Sequence, residues 1–182
     1  MAELSIHLFG RFQVFLYGDP VNHFASNKIR ALLAYLIVEE EYPHRREKLA
    51  ALFWPEKPAN VARTNLRRAI SNLRETLDDY FAEPPHLVIT RQEIQFNPRN
   101  LAAIDYRELH HLEFPIKDLK KSHQKCREIL MNYQGKFLDG LSVNGSSEFD
   151  DWLVIKQEQS ENKFTNLMHQ LIEFYIDKQE YI

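Results

Sequence analysis

The sequence has few of the residues that build catalytic loops or covalent crosslinks. Of its 182 residues only five are glycine and one is cysteine. Scarce glycine argues against an enzyme that cradles its substrate in a glycine-rich loop, because such a loop needs backbone freedom at several neighbouring positions. The single cysteine, Cys126, excludes an internal disulfide and fits a reducing compartment.

Long hydrophobic runs are missing as well. No apolar stretch approaches the roughly 20 residues that cross a bilayer. The N-terminal sequence MAELSIHLFG has neither the basic start nor the apolar run of a signal peptide. We therefore expect a soluble, cytoplasmic protein without a membrane partner. The remaining composition, 44% hydrophobic and 27% charged, is typical of a globular protein that buries a core.

Catalytic and metal-binding patterns have little support. The eight histidines are scattered, and His110 and His111 would point about 100° apart on a helix, which makes them poor co-ligands. Asp150 and Asp151 favour the first turn of a helix, where carboxylates complement the dipole. The sequence contains neither a P-loop nor a GxSxG motif. We expect no enzymatic activity, no cofactor and no metal site.

Positive charge is not abundant, but it is concentrated. The whole chain has a net charge of −3, whereas residues 44–74 carry eight basic and two acidic side chains, a local charge of +6. A DNA-binding site requires a local basic patch and not a basic chain. The charge distribution therefore allows nucleic-acid binding.

One amphipathic helix is predicted over Ala59–Asp79, ANVARTNLRRAISNLRETLDD. At about 100° per residue, its apolar side chains fall on one side of the helix. The opposite side carries Thr64, Arg67, Arg68, Ser71, Asn72 and Glu75, with Arg63 and Arg74 at the border. Arginine suits phosphates and the guanine edge, which favours nucleic-acid recognition. The alternative is a solvated surface helix, although such helices usually mix acids and bases more evenly.

The segments before this helix alternate between strands and helices. Residues 4–17 predict a β-hairpin or two paired strands, ended by a turn at Gly18-Asp19-Pro20. A first helix is expected over 27–41 with Ser26 as its N-cap, and the acidic run at its end is expected to be solvated. A second helix is expected over Arg45–Phe53.

A hairpin is expected after the third helix. The stretch HLVITRQEIQFN predicts two short strands with a turn near Arg91-Gln92. Three helices closed by a hairpin are typical of a winged helix-turn-helix domain, here residues 1–98. The third helix, 59–78, would then be the recognition helix and the hairpin would be the wing.

The remaining residues, 99–182, predict a separate helical domain. Helices are expected over Ala103–Glu113, Asp118–Tyr133 and Glu148–Lys178, with a loop over 134–147. Antiparallel helix pairs of this kind are typical of helical-repeat, TPR-like proteins. Since one pair is short for such an array, we expect this domain to be truncated and the chain to be the N-terminal fragment of a longer protein. The expected fold class is mainly α with small β-hairpins.

The order of these elements resembles the SARP (antibiotic regulatory protein) family of transcriptional regulators. The resemblance is carried by KIRALLAYL, by LFWPE at 52–56 and by ANVARTNLRRAISNLRETL. In that family an OmpR-type winged helix is followed by a bacterial transcriptional activator domain. Residues 123–155 of this chain resemble the beginning of that second domain. The chain departs from the family at the wing, where Arg91-Gln92-Glu93-Ile94 replaces a frequent Gly-Tyr.

The resemblance implies sequence-specific binding of double-stranded DNA and control of transcription, with activation favoured. We expect the N-terminal half of the third helix to lie in the major groove, with base contacts from Arg63, Thr64, Arg67, Arg68 and Ser71. An arginine bidentate to guanine contributes about 1–3 kcal/mol of discrimination. Phosphate contacts are expected from Arg45, Arg46, Lys48 and Arg74, and a minor-groove approach from Arg91. The alternative for Arg63 and Arg74 is pairing with acids of the first helix or its loop.

The expected partner is DNA with repeated half-sites, bound by a homodimer, and RNA polymerase is a further candidate partner. The helical domain would mediate self-association or other protein contacts. The alternative function is a protein-interaction scaffold in which the winged helix binds a protein and not DNA. Charge reversal at Arg67 and Arg68 separates the two, because only DNA binding depends on these positive charges.

Overall fold

The N-terminal strands form a four-stranded sheet in a computed structural model that describes residues 4–177. Its order is β3-β2-β1-β7, where the strands are β1 Leu4–His7, β2 Gln13–Leu16, β3 Asp19–Pro20 and β7 Ala103–Ile104. The predicted hairpin is confirmed by the antiparallel pairing of β1 with β2. The predicted turn at Gly18-Asp19-Pro20 is wrong in part, because the chain turns at Tyr17 and Gly18, both with positive φ, and then pairs as β3.

Three helices follow, as the sequence predicts: α1 Asn27–Val38, α2 Arg46–Phe53 and α3 Ala59–Thr76. All three are shorter than predicted. The third ends at Thr76 because Asp78 adopts a left-handed conformation, with a φ of 54°. The amides of Asp78 and Asp79 then bond back to the carbonyls of Glu75 and Arg74, at 3.3 and 2.9 Å. This Schellman arrangement stops the helix.

The wing is a three-stranded sheet of order β4-β6-β5. Strands β5 Leu87–Ile89 and β6 Glu93–Phe96 form the predicted hairpin. The two-residue strand β4, His44–Arg45, pairs with β6 and places Arg45 opposite Glu93. The wing is therefore joined by backbone pairing to the start of α2, and the winged helix-turn-helix arrangement is confirmed.

The second half is helical, with α4 Asp105–His110, α5 Leu119–Asn132 and α6 Ser147–Asp177. The prediction of a helix over Ala103–Glu113 is wrong at both ends, because Ala103–Ile104 pairs in parallel with β1 and the helix stops at His110. The expected end of the last helix at Lys178 lies outside the described residues. Within residues 4–177, no helix combines the length and the apolar character that crossing a bilayer requires.

The two halves share one hydrophobic core. Phe53 of α2 lies 5.5 Å from Phe149 of α6, and Phe9 after β1 lies 4.9 Å from Tyr133 after α5, both measured between ring centroids. The loop between α5 and α6 lies along the end of β1, where the Leu138 amide donates to the Leu8 carbonyl at 2.7 Å. The division into domains at residue 98 stays a prediction.

The sequence predicts a solvated acidic run at the end of α1. This prediction is wrong for Glu39 and Glu40, which are half-buried, whereas Glu41 is exposed. Glu39 accepts hydrogen bonds from Lys156 Nζ and Trp152 Nε1 of α6, both at 2.8 Å. Glu40 forms a two-pronged ion pair with the Arg107 guanidinium of α4. The burial of Glu39 raises the pKa of its carboxyl group, but the bonds from Lys156 and Trp152 outweigh burial and hold that pKa below its ordinary value.

Asp105, whose side chain is only 6% exposed, makes a second polar connection between the two halves. Its carboxylate accepts the amides of Leu8 at 2.8 Å, Phe9 at 3.1 Å and Tyr106 at 2.7 Å. It thereby satisfies the backbone beyond the end of β1 and the first turn of α4. Burial raises the pKa of this carboxyl group, while the backbone bonds oppose the shift.

We expect Asp105→Ala to lower the free energy of unfolding by about 3 kcal/mol, because it leaves buried amides of two elements without an acceptor. Urea unfolding followed by circular dichroism measures the loss. The control is Asp139→Ala, which removes an exposed carboxylate. Equal unfolding midpoints for the two variants would contradict the role of Asp105.

We expect Glu39→Gln to destabilise the protein at pH 7 by about 1–2 kcal/mol, with Glu41→Gln as the exposed control. Because the folded-state pKa of Glu39 is lowered from 4.5, its ionised form stabilises the fold above that pH. This contribution is lost as the pH falls through the folded-state pKa. Thermal unfolding from pH 7 to pH 3 should therefore show the two curves converging. A difference independent of pH would argue against the ion pair.

Candidate nucleic-acid interface

The amphipathic pattern of α3 determines which of its side chains reach the solvent. Ala62, Leu66 and Leu73 are buried in the core, with at most 4% of each residue's surface exposed. The opposite face is exposed and carries Arg63, Thr64, Arg67, Arg68 and Ser71. The side chains predicted to contact bases therefore share one solvent-facing surface, as their spacing requires.

An open groove of about 700 Å³ runs beside this face. It is lined by Arg63, Leu66 and Arg67 of α3, Arg45, Arg46 and Glu47 at the start of α2, and Arg91 and Gln92 of the wing turn. Five arginines and one glutamate give these lining residues a net charge of +4. Arginines from β4, α2, α3 and the wing turn thus line one concave surface, which suits a polyanion.

One arginine of the groove, Arg63, has an acidic neighbour. Arg63 Nη1 lies 3.7 Å from Glu47 Oε1, and both side chains are more than half exposed. This pair is screened by solvent and contributes little to stability. Its partner belongs to α2 and not to the first helix or its loop, which was the alternative considered for Arg63. Arg63 remains available to a ligand.

The hydroxyl groups on the exposed face have intrahelical partners. Thr64 Oγ1 donates to the Asn60 carbonyl at 2.9 Å, and Ser71 Oγ donates to Glu75 Oε1 at 3.3 Å. Each oxygen keeps its acceptor capacity toward solvent. Lys48 and Arg68 are exposed but lie outside the residues that line the groove.

Two polar residues of the predicted surface have structural roles. Arg74 Nε donates to Asp79 Oδ2 at 3.0 Å, and its guanidinium lies 3.8 Å from the centre of the Tyr80 ring. Asp79 is buried and also accepts the Leu87 amide at 2.9 Å, which connects α3 to the wing. Asn72 accepts the Ala25 amide at 3.2 Å, a contact that no local sequence pattern indicates. Arg74 therefore mainly stabilises the C-terminal end of its own helix.

The most perturbed histidine lies away from the arginine groove. Burial, followed by the charges of Lys163 and Lys156, lowers the pKa of His110 to about 3. Its ring stacks on Tyr106 at 3.8 Å, and Nε2 lies 3.1 Å from Ser160 Oγ. These contacts are those of a neutral core histidine. Nowhere in the described part of the chain do three or more His, Cys, Asp or Glu side chains form a group that could hold a metal ion.

Comparisons with known proteins extend the description of the fold. No family model and no curated protein matches the sequence. Among solved structures, the chain is similar to Mycobacterium tuberculosis EmbR in complex with a low affinity phosphopeptide, with a TM-score of 0.65 and 21% sequence identity over 91% of this chain. The chain spans 44% of the length of that protein chain. At this identity the likeness shows a shared fold.

We expect Arg74→Ala to lower the free energy of unfolding by about 2 kcal/mol, because it leaves the buried Asp79 carboxylate without its cation. Thermal unfolding measures this loss. Arg68→Ala, which removes an exposed charge from the same helix, serves as the control and should leave stability within about 0.5 kcal/mol of the parent. Similar stabilities of the two variants would return Arg74 to the group of ligand-binding candidates.

Proposed function

We propose that this chain is a sequence-specific, double-stranded-DNA-binding transcriptional regulator. The observation that carries the proposal is the convergence of five arginines from β4, α2, α3 and the wing turn on one groove beside the exposed face of α3. The winged helix-turn-helix fold and the SARP-type resemblance support it. The scarcity of acids on this surface also supports a polyanionic ligand.

In the proposed complex, α3 enters the major groove, which admits one helix. Arg67 and Arg68 offer bidentate contacts to guanine, with Arg63, Thr64 and Ser71 as further base or phosphate contacts. The first turn of α3 contains no acidic side chain. Its positive dipole end is therefore compatible with a nearby phosphate.

The arginines around α3 have a complementary role. Arg45 of β4 and the exposed Lys48 of α2 would hold phosphates on one strand. Arg91 at the tip of the wing would approach the minor groove. If the positive charges of Arg45, Lys48 and Arg91, together with those of Arg63, Arg67 and Arg68, each neutralise a phosphate, the slope of log K against log salt concentration is about −5.

The helical part supplies protein contacts in this proposal. We propose self-association on repeated half-sites through a TPR-like helical domain over 99–182, with RNA polymerase as a further partner. Activation is the mode that the SARP-type resemblance favours. A cytoplasmic location agrees with these roles.

The test is binding of the protein to a mixed duplex-DNA pool across a salt series. Arg67→Ala/Arg68→Ala should weaken binding and make the salt slope shallower by about 2, since each positive charge that neutralises a DNA phosphate, whether or not it also contacts a base, contributes about 0.9. Lys125→Ala/Arg127→Ala removes two exposed charges from α5 and should leave the slope unchanged. Sequencing the retained duplexes would then give the operator.

A folded wild-type protein that binds no duplex at low salt would contradict the proposal. The scaffold function would then become the better interpretation. Arg67→Glu/Arg68→Glu distinguishes the two functions, because charge reversal abolishes DNA binding and leaves a scaffold's partner assembly intact. Loss of affinity in the α5 control equal to that in the α3 variant would also count against α3 as the recognition helix.

A further inference from the structure

The wing turn places the positively charged Arg91 beside other arginines. Arg91 lines the same groove as Arg45, Arg63 and Arg67, with Glu47 as the acid among the lining residues. Like charges in one groove repel each other, and the repulsion favours displacement of the turn away from α3. A short hairpin tip therefore needs specific bonds to keep Arg91 at the groove.

Some of these bonds lie within the turn. Thr90 Oγ1 accepts the amides of Gln92 at 3.2 Å and Glu93 at 2.9 Å. The Thr90 amide donates to the Glu93 carbonyl at 2.9 Å. These contacts fix the shape of the turn. They do not fix its position relative to the helices.

Arg46 extends to the tip of the turn the connection that the pairing of β4 with β6 makes between the wing and α2. Its backbone amide donates to the Gln92 carbonyl at 2.9 Å, and its guanidinium Nη1 donates to the Thr90 carbonyl at 3.1 Å. One residue thus binds the carbonyls on both sides of Arg91. Because Arg46 is the first residue of α2, the turn is anchored to the helix that packs directly on α3.

We propose that Arg46 is a positioning residue that holds the wing turn so that Arg91 meets DNA, and that it is not itself a phosphate contact. This inference rests on the proposed function and revises the sequence-based role of Arg46. The guanidinium that the sequence assigned to a phosphate is engaged by the Thr90 carbonyl. The charge that reaches DNA through this contact is that of Arg91.

The first test uses the free protein and needs no DNA. Amide hydrogen exchange at residue 46, whose amide donates to the Gln92 carbonyl across the junction between turn and helix, should become about fivefold faster in Arg46→Ala, because loss of one net hydrogen bond weakens this junction by roughly that factor. Lys48→Ala, which removes an exposed charge of α2 outside the groove lining, is the control and should leave this amide unchanged. Thermal unfolding of both variants should match the parent, which separates a local effect from a loss of fold.

The second test is a double-mutant cycle with Arg91 in DNA binding across salt concentration. If Arg46 acts through Arg91, Arg46→Ala, Arg91→Ala and the double variant should each reduce the salt slope by about 0.9. If Arg46 contacts its own phosphate, the reductions should add to about 1.8 in the double variant. Additive slopes together with an unchanged exchange rate at residue 46 would overturn the proposal.

The two tests also separate this inference from the proposed function. If the wild-type protein binds no duplex, the proposed function fails and so does any role of Arg46 toward DNA. If the wild type binds and Arg46→Ala changes neither exchange nor slope, the proposed function stands and the positioning role is wrong. Faster exchange together with non-additive slopes supports both.

Discussion

The carboxylates of Glu39 and Glu40 determine how the winged helix and the helical part lie against each other. Both follow the C-terminus of α1, where the negative end of the helix dipole disfavours a carboxylate. The cations Lys156 of α6 and Arg107 of α4 offset that cost. Because α1 also packs on α3, the contacts that fix the helical part act on the helix that supports the candidate interface.

Side chains of α1 and of the residue before α6 likewise hold the end of α2. The last carbonyls of a helix lack intrahelical donors. Ser146 Oγ donates to the Leu52 carbonyl at 2.6 Å and accepts the Phe149 amide in the first turn of α6. Lys28 Nζ of α1 donates to the Phe53 carbonyl at 2.8 Å. Side chains thus join three helices by hydrogen bonding to backbone groups that lack intrahelical partners. These bonds hold α2 and its groove-lining residues in place.

Periodicity predicted the elements that bury a regular face and missed those that do not. The stripes of α1, α3 and α5 were recognisable because each repeats at helical spacing. The strands β4 and β7 are two residues long and have no such signal, since their pairing depends on distant partners. The acidic run after α1 was misread for the same reason. Its cations, Arg107 and Lys156, come from elements that local sequence does not connect to it.

The candidate interface divides in the same way between local and long-range information. Helical geometry alone placed Arg67 and Arg68 on the exposed face, whereas the buried Asp79 decides that Arg74 serves the fold. The pairing of β4 with β6 brings Arg45 to the groove that Arg91 also lines, a juxtaposition that spacing along the chain does not reveal. Exposed charges are screened over about 8–10 Å at physiological salt. A chain of net charge −3 can therefore present a +6 segment to a polyanion while its excess acids lie on the helical part.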